Sequence, residues 1–120
     1  MLLFKRLNEL ANIFSVSIDY ILGLNDNRSY KNYKEEIDGK LSQERLKQLR
    51  KDNKLTQVKL ASILNTSQSV IVGFEKGRNI IATPFLFQLC MTYHVSADYL
   101  LGKINEPQEL LWGFIISKNT

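Results

Sequence analysis

Side chains with the chemistry to bind double-stranded DNA gather between Gln57 and Arg78. The Gln68 amide can pair bidentately with adenine, and the hydroxyl of Ser69 beside it is permissive toward base edges. Val70 offers an apolar surface suited to a thymine methyl. The Gln57 amide, with backbone N–H groups of a helix start behind it, suits an anion. Lys76 and Arg78 carry charges that phosphates would accept, and Lys59 is a weaker candidate of the same kind.

These groups need two short helices to hold them. Thr56 and Ser67 are N-cap residues, and each opens a run with helical spacing. Asn65 lies between the runs and suits the left-handed turn that ends the first. Leu60, Ala61 and Leu64 share one face of the first helix, and Ile71 and Phe74 share one face of the second. Ala61 is small enough for the two helices to cross closely. The outer face of the second helix is then free to enter a major groove. Val72 and Gly73 are expected on that outward face, where Gly73 permits close backbone approach but costs about 1 kcal/mol of helix stability relative to Ala. Ser42, Thr56, Ser67, Thr83 and Ser96 are expected to cap five successive helices, with Pro84 at a first helical position. Gly77 and Gly102 are expected helix ends. No stretch alternates in the manner of a strand, so the fold class is all-α.

In these residues the chain resembles the Cro/repressor-type (XRE) helix-turn-helix family. The likeness begins at Leu46 and Leu49 and includes Thr56-Gln57, Ser67-Gln68-Ser69 and Phe74-Glu75-Lys76-Gly77. It ends with Val95-Ser96-Ala97-Asp98-Tyr99-Leu100-Leu101-Gly102. The resemblance implies a five-helix, lambda-repressor-like domain over residues 41–103, with its third helix in the major groove. It implies a bacterial or phage transcriptional regulator, a repressor acting by promoter occlusion, placed in the cytoplasm at the nucleoid. The implied partners are double-stranded DNA and either a homodimer mate or a full-length relative. Residue by residue, Gln57 matches a phosphate-holding position, and Gln68 and Ser69 match base-reading positions. Lys76 and Arg78 fall at phosphate candidates. Arg50 and Glu75 match a partly buried salt bridge that orients the reading helix. Ile80 and Ile81 stand where the family carries polar, often basic, loop residues. The alternative function is a protein-interaction module that modulates a full-length relative or serves as an antitoxin-like partner.

Charge distribution agrees with a DNA-facing unit. Residues 1–40 carry six Lys/Arg and six Asp/Glu, residues 41–103 carry nine against four, and residues 104–120 carry one against two. The excess of the +4 net charge therefore sits where phosphates would be met. With 120 residues the chain accommodates one small domain plus extensions. No apolar run reaches transmembrane length, and the N-terminus lacks a signal-peptide layout.

A second pattern is an internal repeat. Leu7 through Gly23 aligns with Leu86 through Gly102 at a constant offset of 79, with eight of 17 pairs identical. Chance would give roughly one. The chain therefore reads as a tandem repeat whose first unit, residues 1–24, holds only the last two helices. Residues 25–40 form a polar linker, either a solvated tether or one anchored by Tyr30 and Tyr33. The segment 1–24 is rich in apolar residues: Leu2, Leu3, Phe4, Leu7, Leu10, Ile13, Phe14, Ile18, Tyr20, Ile21 and Leu22 are all expected to pack. They would dock on the equivalent helices of the intact unit or pair between two chains. Residues 104–120 form an apolar tail. A helix from Asn105 and Pro107 would carry Leu110, Leu111, Trp112, Phe114, Ile115 and Ile116, packing on the domain or on another chain.

The catalytic classes find no support in the sequence. His94 is the only histidine, and its alignment with Ser15 points to a solvent-facing or capping position. Cys90 aligns with Ala11, which marks a small core residue, and a single cysteine excludes an internal disulfide. No phosphate loop, dinucleotide fingerprint or paired-carboxylate setting is present. No cofactor, metal, small-molecule ligand or membrane partner is expected, and no enzymatic activity.

Overall fold

Local capping chemistry sets where the helices start and stop. The structure is a computed structural model and describes residues 4–108 and Leu110. Those residues form α1 (Phe4–Ile13), α2 (Ile18–Ile21), α3 (Gly39–Asp52), α4 (Gln57–Ile63), α5 (Gln68–Glu75), α6 (Thr83–Tyr93) and α7 (Ala97–Leu100). No strand occurs among them. Thr56 Oγ1 accepts from the Lys59 N–H at 3.0 Å, and Ser96 Oγ from the Tyr99 N–H at 3.1 Å.

Two expected caps are corrected. Ser42 is not an N-cap: it lies buried inside α3, which begins earlier. Asp38 caps that helix, its carboxylate accepting from the Leu41 N–H at 3.1 Å. A carboxylate also favours the positive end of the helix dipole, so the last linker residues join the helix. Thr83 is likewise already helical. Ala82 takes the cap position, and the buried Thr83 Oγ1 has no hydrogen-bond partner.

Left-handed residues end the helices in a common pattern. Asn65 (φ 55°) follows α4, with the Thr66 N–H donating to Ala61 O at 2.8 Å. Gly102 (φ 76°) follows α7, with the Lys103 N–H donating to Asp98 O at 2.9 Å. Here glycine is required twice over. A Cβ would lie 2.7 Å from Asp38 Cβ and 2.9 Å from Asp38 O, because this turn abuts the α3 cap. Less favoured types fill the same role at Ser15, Lys54 and His94.

The core joins α3 to α6 through Leu46, Leu60, Ala61, Ile71, Phe74, Leu86 and Leu89. Phe74 meets Phe85 with ring centroids 6.0 Å apart. Ile81, expected in an outward loop, is a core residue at 2% exposure, and only its neighbour Ile80 is exposed. Cys90 is buried, which pushes its thiol well above its ordinary value. Arg45 clamps α3 to the end of α7: one guanidinium nitrogen donates to Tyr99 O at 2.6 Å and to Ile104 O at 2.7 Å. Its plane lies 3.9 Å over the Tyr99 ring.

The segment 4–24 packs on α7 through α2. Leu7, Ala11 and Ile18 are fully buried. The expectation that every apolar residue here packs is corrected: Tyr20 is 37% exposed, and Ile13 and Phe14 are 72% and 67% exposed. The latter two follow the buried turn of α1 and lie off the face that carries Leu7 and Ala11, which are four residues apart. Leu2, Leu3 and the side chain of Phe4 lie outside what is described. The linker is anchored at both tyrosines rather than tethered loosely. The Tyr30 hydroxyl donates to Asp19 Oδ2 at 2.7 Å, and the Tyr33 hydroxyl donates to Asp98 Oδ1. Lys103, fully buried, reaches back to Asn8 Oδ1 and lies 4.5 Å from the Tyr33 ring centroid. The expected C-terminal helix does not start at Asn105 and Pro107: residues 105–108 and the buried Leu110 are not helical, and Leu111, Trp112, Phe114, Ile115 and Ile116 lie outside the described residues.

Asp19 and Asp98 are both fully buried where α2 meets α7. Burial first, then the neighbouring Asp98 carboxylate, pushes the Asp19 carboxyl up to about 7. A carboxyl with a higher pKa folded than unfolded holds its proton more tightly in the folded state. Its contribution to stability is complete below about pH 4 and declines as pH rises toward about 7. Lys103, pushed down to about 8 by burial, titrates above this window. Asp19→Asn is expected to remove the decline. Denaturant titrations of both proteins at about pH 4 and about pH 7 check this. Equal pH dependence in the two would refute it.

Candidate nucleic-acid interface

The α4–α5 pair is a helix-turn-helix built from the residues that suggested it. Leu60, Ala61 and Leu64 of α4 and Ile71 and Phe74 of α5 are buried together. Within α5 only the first turn is bare, where Gln68 and Ser69 are exposed. Ser67 has cap geometry but makes no cap hydrogen bond. Its hydroxyl instead lies 3.1 Å from Ser69 Oγ. Val70 and Val72 are half-buried. Lys59, Lys76 and Arg78 are exposed.

Gly73 departs from its expected outward position. It is buried, and a Cβ there would lie 3.4 Å from the Asn79 side-chain nitrogen. The chain turns back at Gly77 (φ 78°), and the Arg78 N–H donates to Gly73 O at 2.9 Å. The returning limb of the turn therefore covers Gly73. Helical spacing alone cannot show this, because the cover comes from six residues downstream.

A buried ion pair fixes α5 against α3. Arg50 Nε donates to Glu75 Oε2 at 2.7 Å and Arg50 Nη2 to Glu75 Oε1 at 3.0 Å. The Glu75 side chain is 1% exposed and that of Arg50 13%. Its hydrogen bonds to the Glu75 carboxylate hold the Arg50 guanidinium above its ordinary value. Arg50 Nη1 also donates to Leu55 O at 2.9 Å, so one side chain ties α3, the α3–α4 turn and α5 together. Gln57 joins this group: its amide donates to Glu75 Oε1 at 3.3 Å and the residue is half-buried. A long bond of this kind is weak.

A profile for the helix-turn-helix domain family matches residues 43–106, more than half of the chain. The chain belongs to the helix-turn-helix domain family. The chain is also similar to a Bacillus subtilis protein named as the uncharacterized HTH-type transcriptional regulator YobD. The two are 38% identical over 64 residues, which is 53% of this chain and 57% of that protein. The chain thus spans a little over half the length of that relative. No solved structure matches. Among the described residues no cluster of His, Cys, Asp and Glu could hold a metal ion, and no helix is long and apolar enough to cross a membrane.

The sequence did not single out Arg45, Asp38, Asn79 or Lys103. Asp38 carried a usable signal, an acidic residue directly before Gly39. Buried Lys103 and half-buried Arg45 carried none, since a lone cation ordinarily reads as surface.

Proposed function

We propose that this protein binds double-stranded DNA in a sequence-specific manner, with α5 in the major groove, and regulates transcription as an XRE-type repressor by occluding a promoter. The observation that carries this reading is the bare N-terminal face of α5. Gln68 and Ser69 stand exposed on a helix whose other face is fixed in the core and whose end is held by the Arg50–Glu75 pair. Base contacts need such a rigid support. Gln68 reads a base, and Ser69 and Val70 contact neighbouring edges. Lys59, Lys76 and Arg78 take phosphates. Gln57 grips a phosphate through its backbone N–H or by giving up its weak bond to Glu75. One unit covers one half-site, and the site of action is the nucleoid.

Selection from a random duplex pool, followed by binding across a salt series, tests the proposal. Enrichment of one sequence with a steep salt slope is the expected result. Gln68→Ala is expected to weaken the selected duplex by about 1–3 kcal/mol and relax preference at one base pair. Lys76→Ala is expected to weaken all sequences alike and lower the salt slope by about one. Weak, unselective binding unaffected by either change would refute the proposal. That outcome would favour the second reading, an interaction module for a full-length relative or an antitoxin-like partner. Val58 and Ile80, apolar and 58% and 45% exposed, would then serve a protein contact.

A further inference from the structure

The contact between α2 and α7 has the form of a two-fold interface folded into one chain. Under the offset of 79, Ser17, Ile18 and Asp19 correspond to Ser96, Ala97 and Asp98. The Ile18 N–H donates to Asp98 Oδ1 at 3.0 Å. Its counterpart, the Ala97 N–H, donates to Asp19 Oδ1 at 2.6 Å. Each short helix thus has its first backbone N–H held by the aspartate of the other. The local folds also correspond. Ser17 Oγ accepts from the Tyr20 N–H at 2.9 Å and Ser96 Oγ from the Tyr99 N–H at 3.1 Å. Ser15 and His94 have φ of 53° and 55°, and Gly23 and Gly102 have 73° and 76°. In an isologous interface, residue i meets j and j meets i. Two like segments of one chain reproduce that rule here.

We infer that the face of α7 covered by α2 is a homotypic interface whose other half is α7 of a second copy, and that residues 4–24 occupy it in cis and keep this chain monomeric. A second α7 brings an Asp98 carboxylate and an Ala97 N–H to the places now filled by Asp19 and Ile18. Every donor and acceptor in the reciprocal pair therefore finds its equivalent. The attached segment wins because it is covalently held near its site, where its effective concentration far exceeds that of a free copy. Tyr30 and Tyr33 add linker hydrogen bonds that a second α7 would lack. The inference does not depend on DNA binding, because its readout is mass in solution.

Light scattering after size exclusion on the full chain is expected to give a monomer. Ile18→Asp adds a third carboxylate to a fully buried site beside Asp19 and Asp98, so the segment leaves and α7 is bared. The expected result is a doubled mass that rises with concentration. Adding Asp98→Ala to that variant is expected to restore the monomer. A helical Ile18→Asp protein that stays monomeric overturns the inference, and so does a wild-type chain that is already dimeric. Should Ile18→Asp lose its circular dichroism, Ile18→Ala weakens docking more gently and is expected to give a smaller dimer fraction over the same concentration series. Its absence would also overturn the inference.

Discussion

Arg50→Met is expected to lower unfolding stability by about 3–5 kcal/mol, a large share of what a domain of this size possesses. The cost comes from Glu75 rather than from the lost attraction. With its side chain 1% exposed, Glu75 would keep a charge and lose two of its three hydrogen-bond donors, leaving only the long contact from Gln57. Leu55 O would lose its donor as well. The paired change Arg50→Met with Glu75→Leu removes both charges and is expected to recover most of the loss, because replacing a whole buried pair by apolar groups is often close to neutral. Denaturant unfolding of the wild type, both single variants and the double variant forms a double-mutant cycle. Additive losses would show that the contact carries no coupling. The double variant separates stability from orientation: if it is stable but binds the selected duplex weakly, the pair serves to aim α5.

Much of this fold was legible because its signals are local. Thr56 and Ser96 cap their helices through hydroxyls three residues from the amides they hold. Asn65, Gly77 and Gly102 end helices in left-handed turns, which their types favour. The same turn at Lys54 was not legible, because nothing in that residue type prefers it, whereas the alignment with Ser15 had marked His94 for the exposed capping position it takes after α6. Ser42 misled because a serine and an aspartate four residues apart both suit a cap, and only packing chooses between them. Gly73 and Ile81 misled for a related reason. The turn after α5 folds back over the helix, which buries one residue that helical spacing puts outside and one that loop position puts outside. The repeat at offset 79 was visible in the sequence. The exchange of aspartates between its copies was not, since it joins residues about 80 positions apart and depends on how two helices meet. For the interface, residue types revealed the groups that could touch DNA. They could not reveal that Gln57 turns toward Glu75.

Asp98→Ala is expected to cost about 3–5 kcal/mol, with the damage concentrated in α1 and α2 rather than spread through the fold. The Asp98 carboxylate accepts from the Ile18 N–H at 3.0 Å, the Asp19 N–H at 2.7 Å and the Tyr33 hydroxyl. All three donors belong to the N-terminal segment or its linker. Without the carboxylate, two buried backbone N–H groups at the start of α2 have no acceptor, and each such orphan costs roughly 1–3 kcal/mol. Losing a like charge beside Asp19 offsets part of this. The α7 helix keeps its own cap from Ser96, so the unit from α3 to α7 retains its internal bonds. Amide hydrogen exchange resolves the two regions. Protection is expected to collapse in residues 4–24 and to fall far less in α3, α4 and α5. A uniform loss would instead mean that the segment and the unit unfold as one cooperative body. The contrast with Ile18→Asp sharpens the assignment. Both changes release the segment, but only Ile18→Asp leaves the Asp98 acceptor that a second copy needs. Asp98→Ala is therefore expected to open α1 and α2 while remaining a monomer, which ties the loss of protection and the gain of mass to one carboxylate.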